Sequence, residues 1–512
     1  MIQQTSIRFC SLVCLLAAPV FCQAVLEPAA APQASAAISE SAAAPQASAA
    51  ISQPASAPQA SAAVSGPAAA PQASAAVLES AAAPQASAAV SKPAAEQQAS
   101  AAARFRDVKT ARLTANERIA AYEKLLQQSP ADPKIQAGLA EAFIQKLRET
   151  TDFAYLNRAS ALVDKMLAAD PKSYDAIRLQ IEIETHRHNF PKAAELAEEL
   201  TERNASDTGS LGLLGDSLME EGQYDAAGKA YRRMLELSPN LTSYNRVAFH
   251  DFVTGNSGQA LAWMNLAVQA GSPVPENLAW CLVEFGDMLF KTGYAEQAHT
   301  VYDRALETLP GYHRAYAALG RFYAATGEFR RAAENFQKAG DVIPLPDYAA
   351  ALETLDRKLG KPADAAKQRQ LLDVIDKLGA ANGEKGNRML AMVFADENRN
   401  LDRAVQLAEG ELATRKDVYT YDALSWVLFR AGRQKDAEDA SAKAMARNTP
   451  EPMFLYHAGV IAMAGGRIEE GKGLLRRALA LNPHFAFPQA DDARQRLADD
   501  TASATIPQNV IH

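Results

Sequence analysis

The apolar positions divide the chain into three parts. An apolar run from Phe9 to Phe21 follows a short, weakly basic N-terminus. From Val25 to about Ala103, aromatic and long aliphatic residues are almost absent. Beyond Arg104 helix-forming residues return, and small, aromatic and proline positions recur every 34 residues. The pattern predicts a targeting segment, a segment without a hydrophobic core, and a helical array.

The 34-residue period is clearest in the stretch LGLLGDSLMEEGQYDAAGKAYRRMLELSP, which covers residues 211–239. Its marker positions are Leu214, Gly215, Gly222, Tyr224, Ala227, Tyr231 and Pro239. The same register recurs at Gly286, Gly293, Ala298, Tyr302, Ala305 and Pro310, and again at Gly320, Gly327, Ala332, Phe336, Ala339 and Pro344. Three copies in one register indicate internal repeats.

These positions resemble those of the tetratricopeptide repeat (TPR). In that family, small residues at positions 8 and 20 let helices A and B touch, aromatic residues at 17 and 24 fill the gap to the next repeat, and proline at 32 ends helix B. The resemblance implies an all-α fold, a right-handed superhelical solenoid of about ten helix-turn-helix repeats over residues 104–484. An unpaired helix B near Ile119–Gln128 is expected to open the array. A capping helix is expected at 485–500 and a disordered tail at 501–512.

The segment GGRIEEGKGLL, residues 465–475, has the spacing of a phosphate-binding loop. Such a loop follows a β-strand and carries Ser or Thr after its lysine. No strand is predicted here, and Gly473 follows Lys472. In the repeat register Gly466 is the turn between two helices and Gly471 is the small contact position of helix B. The segment is therefore interpreted as part of the last repeat.

No catalytic, cofactor-binding or metal-binding residues are predicted. The sequence contains no H-E-x-x-H, no G-x-S-x-G and no cysteine pair with metal-ligand spacing. His186 and His188 are two positions apart and would diverge on a helix. The formal charge is −8 and the basic residues are scattered, which argues against a nucleic-acid partner. We expect a protein that is not an enzyme and has no cofactor and no small-molecule substrate.

Family resemblance also predicts where partners would bind. In TPR proteins, positions 2, 5, 9, 12 and 13 of helix A face the concave groove. In the last two repeats these positions form an aromatic stripe suited to an apolar peptide or an amphipathic helix. Arg314 and Arg321 lie about two helical turns apart and could hold a carboxylate. The alternatives are arginines that are simply exposed, and a C-terminal helix around Ala490–Leu497 that covers the stripe. The candidate partner-binding residues are Asn245, Phe249, Phe252, Arg314, Arg321, Tyr419, Trp426, Phe429, Tyr456 and Met463.

The N-terminal segments have their own signatures. Residues 1–24 are predicted to be a signal peptide, because Cys22-Gln23-Ala24 places small residues at positions −3 and −1 of a cleavage site before Val25. A retained anchor helix and a lipid on Cys22 are the alternatives, although Phe21 departs from the lipoprotein pattern. Residues 25–103 repeat PQASAA every thirteen residues and are predicted to be a disordered spacer, because they lack the residues of a core. No membrane span is expected after cleavage.

These features predict a non-enzymatic scaffold or adaptor that binds peptide segments or protein surfaces in the concave groove. Its expected partners are other proteins. The alternative is a soluble structural component of an envelope or exopolysaccharide export complex. The signal segment and the resemblance to exported bacterial TPR proteins predict that it is periplasmic or secreted.

Overall fold

Residues 114–150, 152–381 and 384–503 are described in the computed structural model, and every regular element in these ranges is an α-helix. They all belong to one compact unit of the chain. The predicted signal peptide (1–24), the predicted spacer (25–103) and the residues beyond 503 lie outside the described residues.

Twenty of the 22 described helices form ten antiparallel hairpins, numbered here as repeats 1 to 10, each with a helix A and a helix B. The helix α1 (Ala115–Gln128) precedes repeat 1, and α22 (Gln489–Ser503) follows repeat 10. Repeats 1 to 5 are α2 (Pro133–Thr150) with α3 (Phe153–Ala169), α4 (Tyr174–His186) with α5 (Phe190–Arg203), α6 (Thr208–Glu220) with α7 (Tyr224–Leu237), α8 (Leu241–Val253) with α9 (Ser257–Ala270), and α10 (Pro275–Lys291) with α11 (Ala295–Thr308).

Repeats 6 to 10 are α12 (His313–Ala325) with α13 (Phe329–Val342), α14 (Pro346–Lys358) with α15 (Pro362–Ala381), α16 (Arg388–Asp396) with α17 (Leu401–Leu412), α18 (Val418–Arg430) with α19 (Gln434–Met445), and α20 (Pro452–Ala464) with α21 (Ile468–Leu481). Each helix packs on the next along the chain, except that α16 packs on α14 rather than on α15, so the hairpins stack in sequence order. The prediction of an all-α solenoid of about ten repeats is confirmed.

The glycine at position 8 of the repeat makes room for the aromatic ring at position 24. A β-carbon at Gly215 would lie 2.2 Å from the ring of Tyr231, and one at Gly286 would lie 2.3 Å from the ring of Tyr302. Both tyrosines are 1% exposed. Helices A and B therefore meet around a buried ring, which explains why the sequence pairs these residue types at this spacing.

The GGRIEEGKGLL segment forms the turn and helix B of repeat 10. Gly466 has φ 84° and lies between α20 and α21, where glycine adopts the left-handed backbone at little cost. Gly471 lies on α21, where an added β-carbon would be 2.5 Å from the carbonyl oxygen of Gly459. Both glycines serve helix packing, as the repeat register predicts.

Successive turns of the solenoid touch along a seam. The seam joins the A–B turns of repeats 3 to 5 to the segments that follow repeats 8 to 10. In its three equivalent contacts the Val418 backbone N–H donates to the Tyr224 hydroxyl at 2.8 Å, Thr449 Oγ1 donates to the Val253 carbonyl at 2.6 Å, and Asn482 Nδ2 donates to the Phe290 carbonyl at 2.8 Å. The partners are 192 to 196 residues apart in sequence.

A buried ionic cluster lies at the first seam contact. Arg415 Nε is 2.6 Å from Glu220 Oε2, and its Nη1 is 3.0 Å from Glu411 Oε1. The guanidinium also lies over the ring of Phe190. Because all three side chains are at most 4% exposed, loss of Arg415 would leave two buried acidic side chains without their cation.

Candidate functional site

A cavity of about 1380 Å³ lies among the A helices of repeats 4 to 10. The seam brings repeat 10 back against repeat 5, because Asn482 bonds to Phe290. The chain after repeat 10 then reaches repeat 6, where Phe487 packs on Phe329 with ring centroids 4.7 Å apart. The A helices therefore surround the cavity, and residues 485–496 line it as well.

The repeat register identifies the residues that line this central cavity. In repeat 9, positions 2, 5, 9 and 12 are Tyr419, Asp422, Trp426 and Phe429, and all four line the cavity. In repeat 10 the same positions are Met453, Tyr456, Val460 and Met463, which also line it. Of the ten predicted partner-binding residues, those that the structure brings to the cavity are Phe249, Arg314, Arg321, Tyr419, Trp426, Phe429, Tyr456 and Met463.

Asn245 and Phe252 do not line the cavity, although the register predicts that they do. Asn245 is 3% exposed and its Nδ2 donates to Cys281 Sγ at 3.2 Å. Phe252 is 1% exposed, and Lys291 Nζ lies 5.8 Å from its ring centroid. Both Cys281 and Lys291 belong to the 17-residue helix α10, which covers these two positions of α8. Their assignment to the groove surface is therefore corrected to the interior of the repeat stack.

Trp426 is a supporting part of the cavity wall. It is 4% exposed, its Nε1 donates to Asp396 Oδ1 at 2.8 Å, and its ring stacks on His457 with centroids 4.5 Å apart. Phe429, one helical turn further on, is half-buried and packs against Trp426 at 5.4 Å. Of these two residues, Phe429 has the more accessible side chain.

The chain after repeat 10 covers one end of the aromatic stripe. Tyr456 is 4% exposed, its hydroxyl donates to Asp492 Oδ2 of α22 at 2.8 Å, and its ring packs near Phe485. Phe429 and Met463 stay half-buried beside the cavity. The sequence left open whether a C-terminal helix covers the stripe, and α22 covers its Tyr456 end.

Repeats 8 to 10 contribute the methionine-rich wall, which also carries the charged residues Asp396, Glu397, Asp422, Arg430 and Glu451. Met389, Met392, Met453 and Met463 are the methionines that line the cavity among the described residues. His457 Nδ1 lies 2.9 Å from Asp422 Oδ2. Burial alone would lower the pKa of His457, but Asp422 and the more distant Asp396 raise it above its usual range.

Repeats 5 to 7 contribute a charged wall, with Glu284, Asp287 and Lys291 on α10, Arg314 and Arg321 on α12, and Asp347 on α14. Arg321 Nη2 is 3.1 Å from Asp287 Oδ2, and Lys291 Nζ is 2.7 Å from Glu451 Oε2. Burial and the neighbouring Asp287 raise the pKa of Glu284 to about 7, and burial raises the pKa of Asp347 to about 6.

The structure changes the prediction that Arg314 and Arg321 hold a carboxylate of a partner. Arg321 already pairs with Asp287, whose two carboxylate oxygens both lie within 3.2 Å of Arg321 Nη2. Arg314 forms no hydrogen bond or ion pair with a described residue, and Glu284 is among the carboxylates that attract it. Arg321 therefore already has a carboxylate partner within the chain, whereas Arg314 has none among the described residues.

Sequence reasoning missed the part of the wall that repeat 8 supplies. Its helix A, α16, is only nine residues long, so the helix-A pattern is incomplete. Met389, Met392 and Asp396 all line the cavity from this helix or its end. Counting back from the Ala404 marker of helix B would have placed Met389 at position 5 and Asp396 at position 12.

The two histidines considered as metal ligands lie away from the cavity. Burial lowers the pKa of His186 and of His188 to about 3. Across the described ranges, no group of three or more side chains is placed to hold a metal ion. In the same ranges, none of the helices has both the length and the hydropathy needed to cross a bilayer.

Comparison with protein families identifies one repeat directly. The tetratricopeptide repeat family model matches residues 208–241, which contain α6 and α7. No curated protein matches the chain.

Solved structures similar to the chain have low identity to it. PilW, a type IV pilus biogenesis factor, is 14% identical with a TM-score of 0.35, over 40% of this chain and 93% of PilW. A monomeric mutant of IFIT1 is 17% identical with a TM-score of 0.42, over 64% and 76% of the two chains. A thermophilic TPR protein of Thermus thermophilus is 15% identical with a TM-score of 0.30, over 33% and 92%. The repeat assignment therefore depends on the ten hairpins and the family match.

Proposed function

We propose that this chain is an exported, non-catalytic scaffold that binds a peptide segment of a partner protein in its central cavity. TPR repeats commonly serve as protein-interaction modules, which supports a scaffold. The size and lining of the cavity support a peptide as the bound segment.

The cavity is the single observation that carries the proposal. Its volume of about 1380 Å³ exceeds the roughly 300–1,000 Å³ of small-molecule pockets. A helix with its side chains is about 10 Å across, so this volume holds about three helical turns. Methionine and aromatic side chains on the wall can adapt to different apolar surfaces.

Export is the part of the proposal that the N-terminal sequence supports. The apolar run Phe9–Phe21 and the small residues before Val25 have the pattern of a cleaved signal peptide. Mass spectrometry of the protein recovered from its source cells should find Val25 as the first residue. An intact Met1 or a lipid-modified Cys22 would contradict this part of the proposal.

Proximity labelling in the source cells tests the binding function. The cavity variant replaces Phe429 and Met463 with alanine. The control replaces Val342 and Val374 with alanine; these two residues lie on B helices and are 52% and 43% exposed. We expect the cavity variant, at wild-type abundance and melting temperature, to lose a small set of partners that the control retains.

The alternative role, a structural part of an export complex, would use outer surfaces of the solenoid. It predicts the opposite pattern: unchanged partners for the cavity variant and lost partners for the control. That result would overturn cavity binding.

A further inference from the structure

Together with Glu451 of repeat 10, which pairs with Lys291, the charged wall contains four carboxylates and three cations. Two of its ion pairs are complete, Arg321 with Asp287 and Lys291 with Glu451. Glu284 and Asp347 form no ion pair with any described residue, and the same is true of Arg314. One carboxylate is therefore left in excess.

The cavity lining as a whole also carries an excess of negative charge. Among the described residues it includes eight carboxylate side chains against six from lysine and arginine. His457, paired with Asp422, adds one cation when it is protonated. The lining is therefore more complementary to a ligand with positive charge than to one with negative charge.

Asp347 provides an independent, local observation. Its Oδ1 is shielded from solvent and accepts no hydrogen bond from a described residue. A buried carboxylate oxygen without a donor is costly, and a donor supplied by a ligand would remove that cost. Arg314 and Arg321 attract this carboxylate without donating a hydrogen bond to it, and the backbone N–H groups of Asp347 and Tyr348 at the start of α14 also stabilise its charge.

The apolar side chains of the methionine-rich wall, mainly Met389, Met392, Phe429 and Met463, require an apolar surface on the same ligand. We infer that the bound segment carries a lysine or arginine that pairs with Glu284 or Asp347, next to apolar side chains that pack on this wall. The inference rests on the proposed function and specifies the chemistry of the partner.

The acid–base behaviour of the wall agrees with this assignment. Glu284 faces Asp287 and Lys291 on its own helix, and Arg314 and Arg321 on α12. Since its pKa is raised to about 7 and that of Asp347 to about 6, both carboxylates ionise as the pH rises from 5 to 8. A basic ligand should therefore bind more tightly at pH 8 than at pH 6.

A selection from random twelve-residue peptides displayed on phage, with the full chain as target, tests the inference. Peptides are kept only if they fail to bind the Phe429→Ala variant. We expect the kept sequences to share one lysine or arginine at a fixed distance from leucine, methionine or aromatic residues. A synthetic copy of the most frequent sequence then serves as the probe in fluorescence anisotropy.

Two double variants complete the test. Glu284→Gln with Asp347→Asn should weaken binding of the probe about tenfold or more, and so should replacement of the probe's lysine or arginine by glutamine. The control, Glu307→Gln with Glu334→Gln, removes two exposed carboxylates from B helices and should leave affinity unchanged. The glutamine and asparagine side chains keep the original shapes, and melting curves verify folding.

Each outcome is decisive. The inference would be overturned, while the proposed function stands, if the kept peptides were acidic or uncharged. The same holds if the probe bound the wild type and the Glu284→Gln, Asp347→Asn variant with equal affinity. If no peptide depends on Phe429, the proposed function and the inference both fail.

Discussion

The backbone N–H of Val418 donates a hydrogen bond of 2.8 Å to the hydroxyl of Tyr224, 194 residues earlier in the chain. Tyr224 is the position-17 aromatic residue of repeat 3 and is 4% exposed. The ring of this side chain is part of the hydrophobic core, and its hydroxyl joins two turns of the solenoid. The cavity depends on this seam because the seam brings the last repeats against the middle ones.

Tyr224→Phe should weaken the seam without disturbing the packing of repeat 3. The ring stays, but the Val418 N–H loses its acceptor, which typically costs about 1–3 kcal/mol for a buried group. Denaturant unfolding measures the loss of stability, and hydrogen exchange at residue 418 reports the seam. A stable variant with unchanged protection at this amide would show that the contact does not hold the turns together.

Gly222→Ala and Gly432→Ala form a matched pair. Both glycines lie at A–B turns with positive φ, 72° and 78°, so each alanine costs about 1 kcal/mol for left-handed backbone. A β-carbon at Gly432 meets no atom within 4 Å, whereas one at Gly222 would be 2.6 Å from the Lys416 carbonyl oxygen. Only the new methyl group of Gly222→Ala would push apart the two turns that meet at the seam. Gly222→Ala should therefore lose clearly more free energy of unfolding than Gly432→Ala. Equal losses would contradict the seam geometry.

Trp426→Ala and Phe429→Ala should separate stability from binding. Trp426 is buried and bonded to Asp396, so its loss should cost about 3–5 kcal/mol of unfolding free energy. Phe429 is half-buried at the cavity, so its loss should cost less stability and, as a binding anchor, on the order of 2 kcal/mol in affinity. Calorimetric unfolding and probe binding measure the two effects. A Phe429→Ala protein with full affinity would remove this residue from the site.

Glu284 should make the free protein less stable as the pH rises. Its pKa is about 7 in the folded chain against an ordinary value of 4.5, so between these values the folded state holds more protons than the unfolded state. Stability therefore falls across this window, by about 1.4 kcal/mol for each unit of pKa difference, and levels off above it. Glu284→Gln lacks this loss, so its stability relative to wild type should rise from pH 4.5 to 7. A constant difference would mean that the carboxyl titrates normally.

Local features of the fold were predictable because they repeat within 34 residues. The contact of Gly215 with Tyr231 and the turn at Gly466 follow from the register alone. The same register places Tyr419, Phe429 and Met463 at the cavity.

The other features of the fold and the cavity depend on contacts between different repeats, which the pattern within one repeat does not specify. The seam between Tyr224 and Val418 is set by how far each repeat rotates from the last, summed over several repeats. Asn245 was misplaced because Cys281 on the next helix A covers it, a contact between repeats that the register does not contain. The pairing of Arg321 with Asp287 links positions 34 residues apart and was not foreseen.

Photo-crosslinking from inside the cavity tests the central claim most directly. A benzophenone amino acid is placed at Phe429 in one full-length protein and at Val342, on the outer face of α13, in another. After irradiation of the source cells, mass spectrometry identifies the attached peptides. The account predicts that Phe429 captures one recurring partner segment with a basic residue among apolar ones, and that Val342 does not. Capture of the same partners from Val342, with none from Phe429, would contradict it.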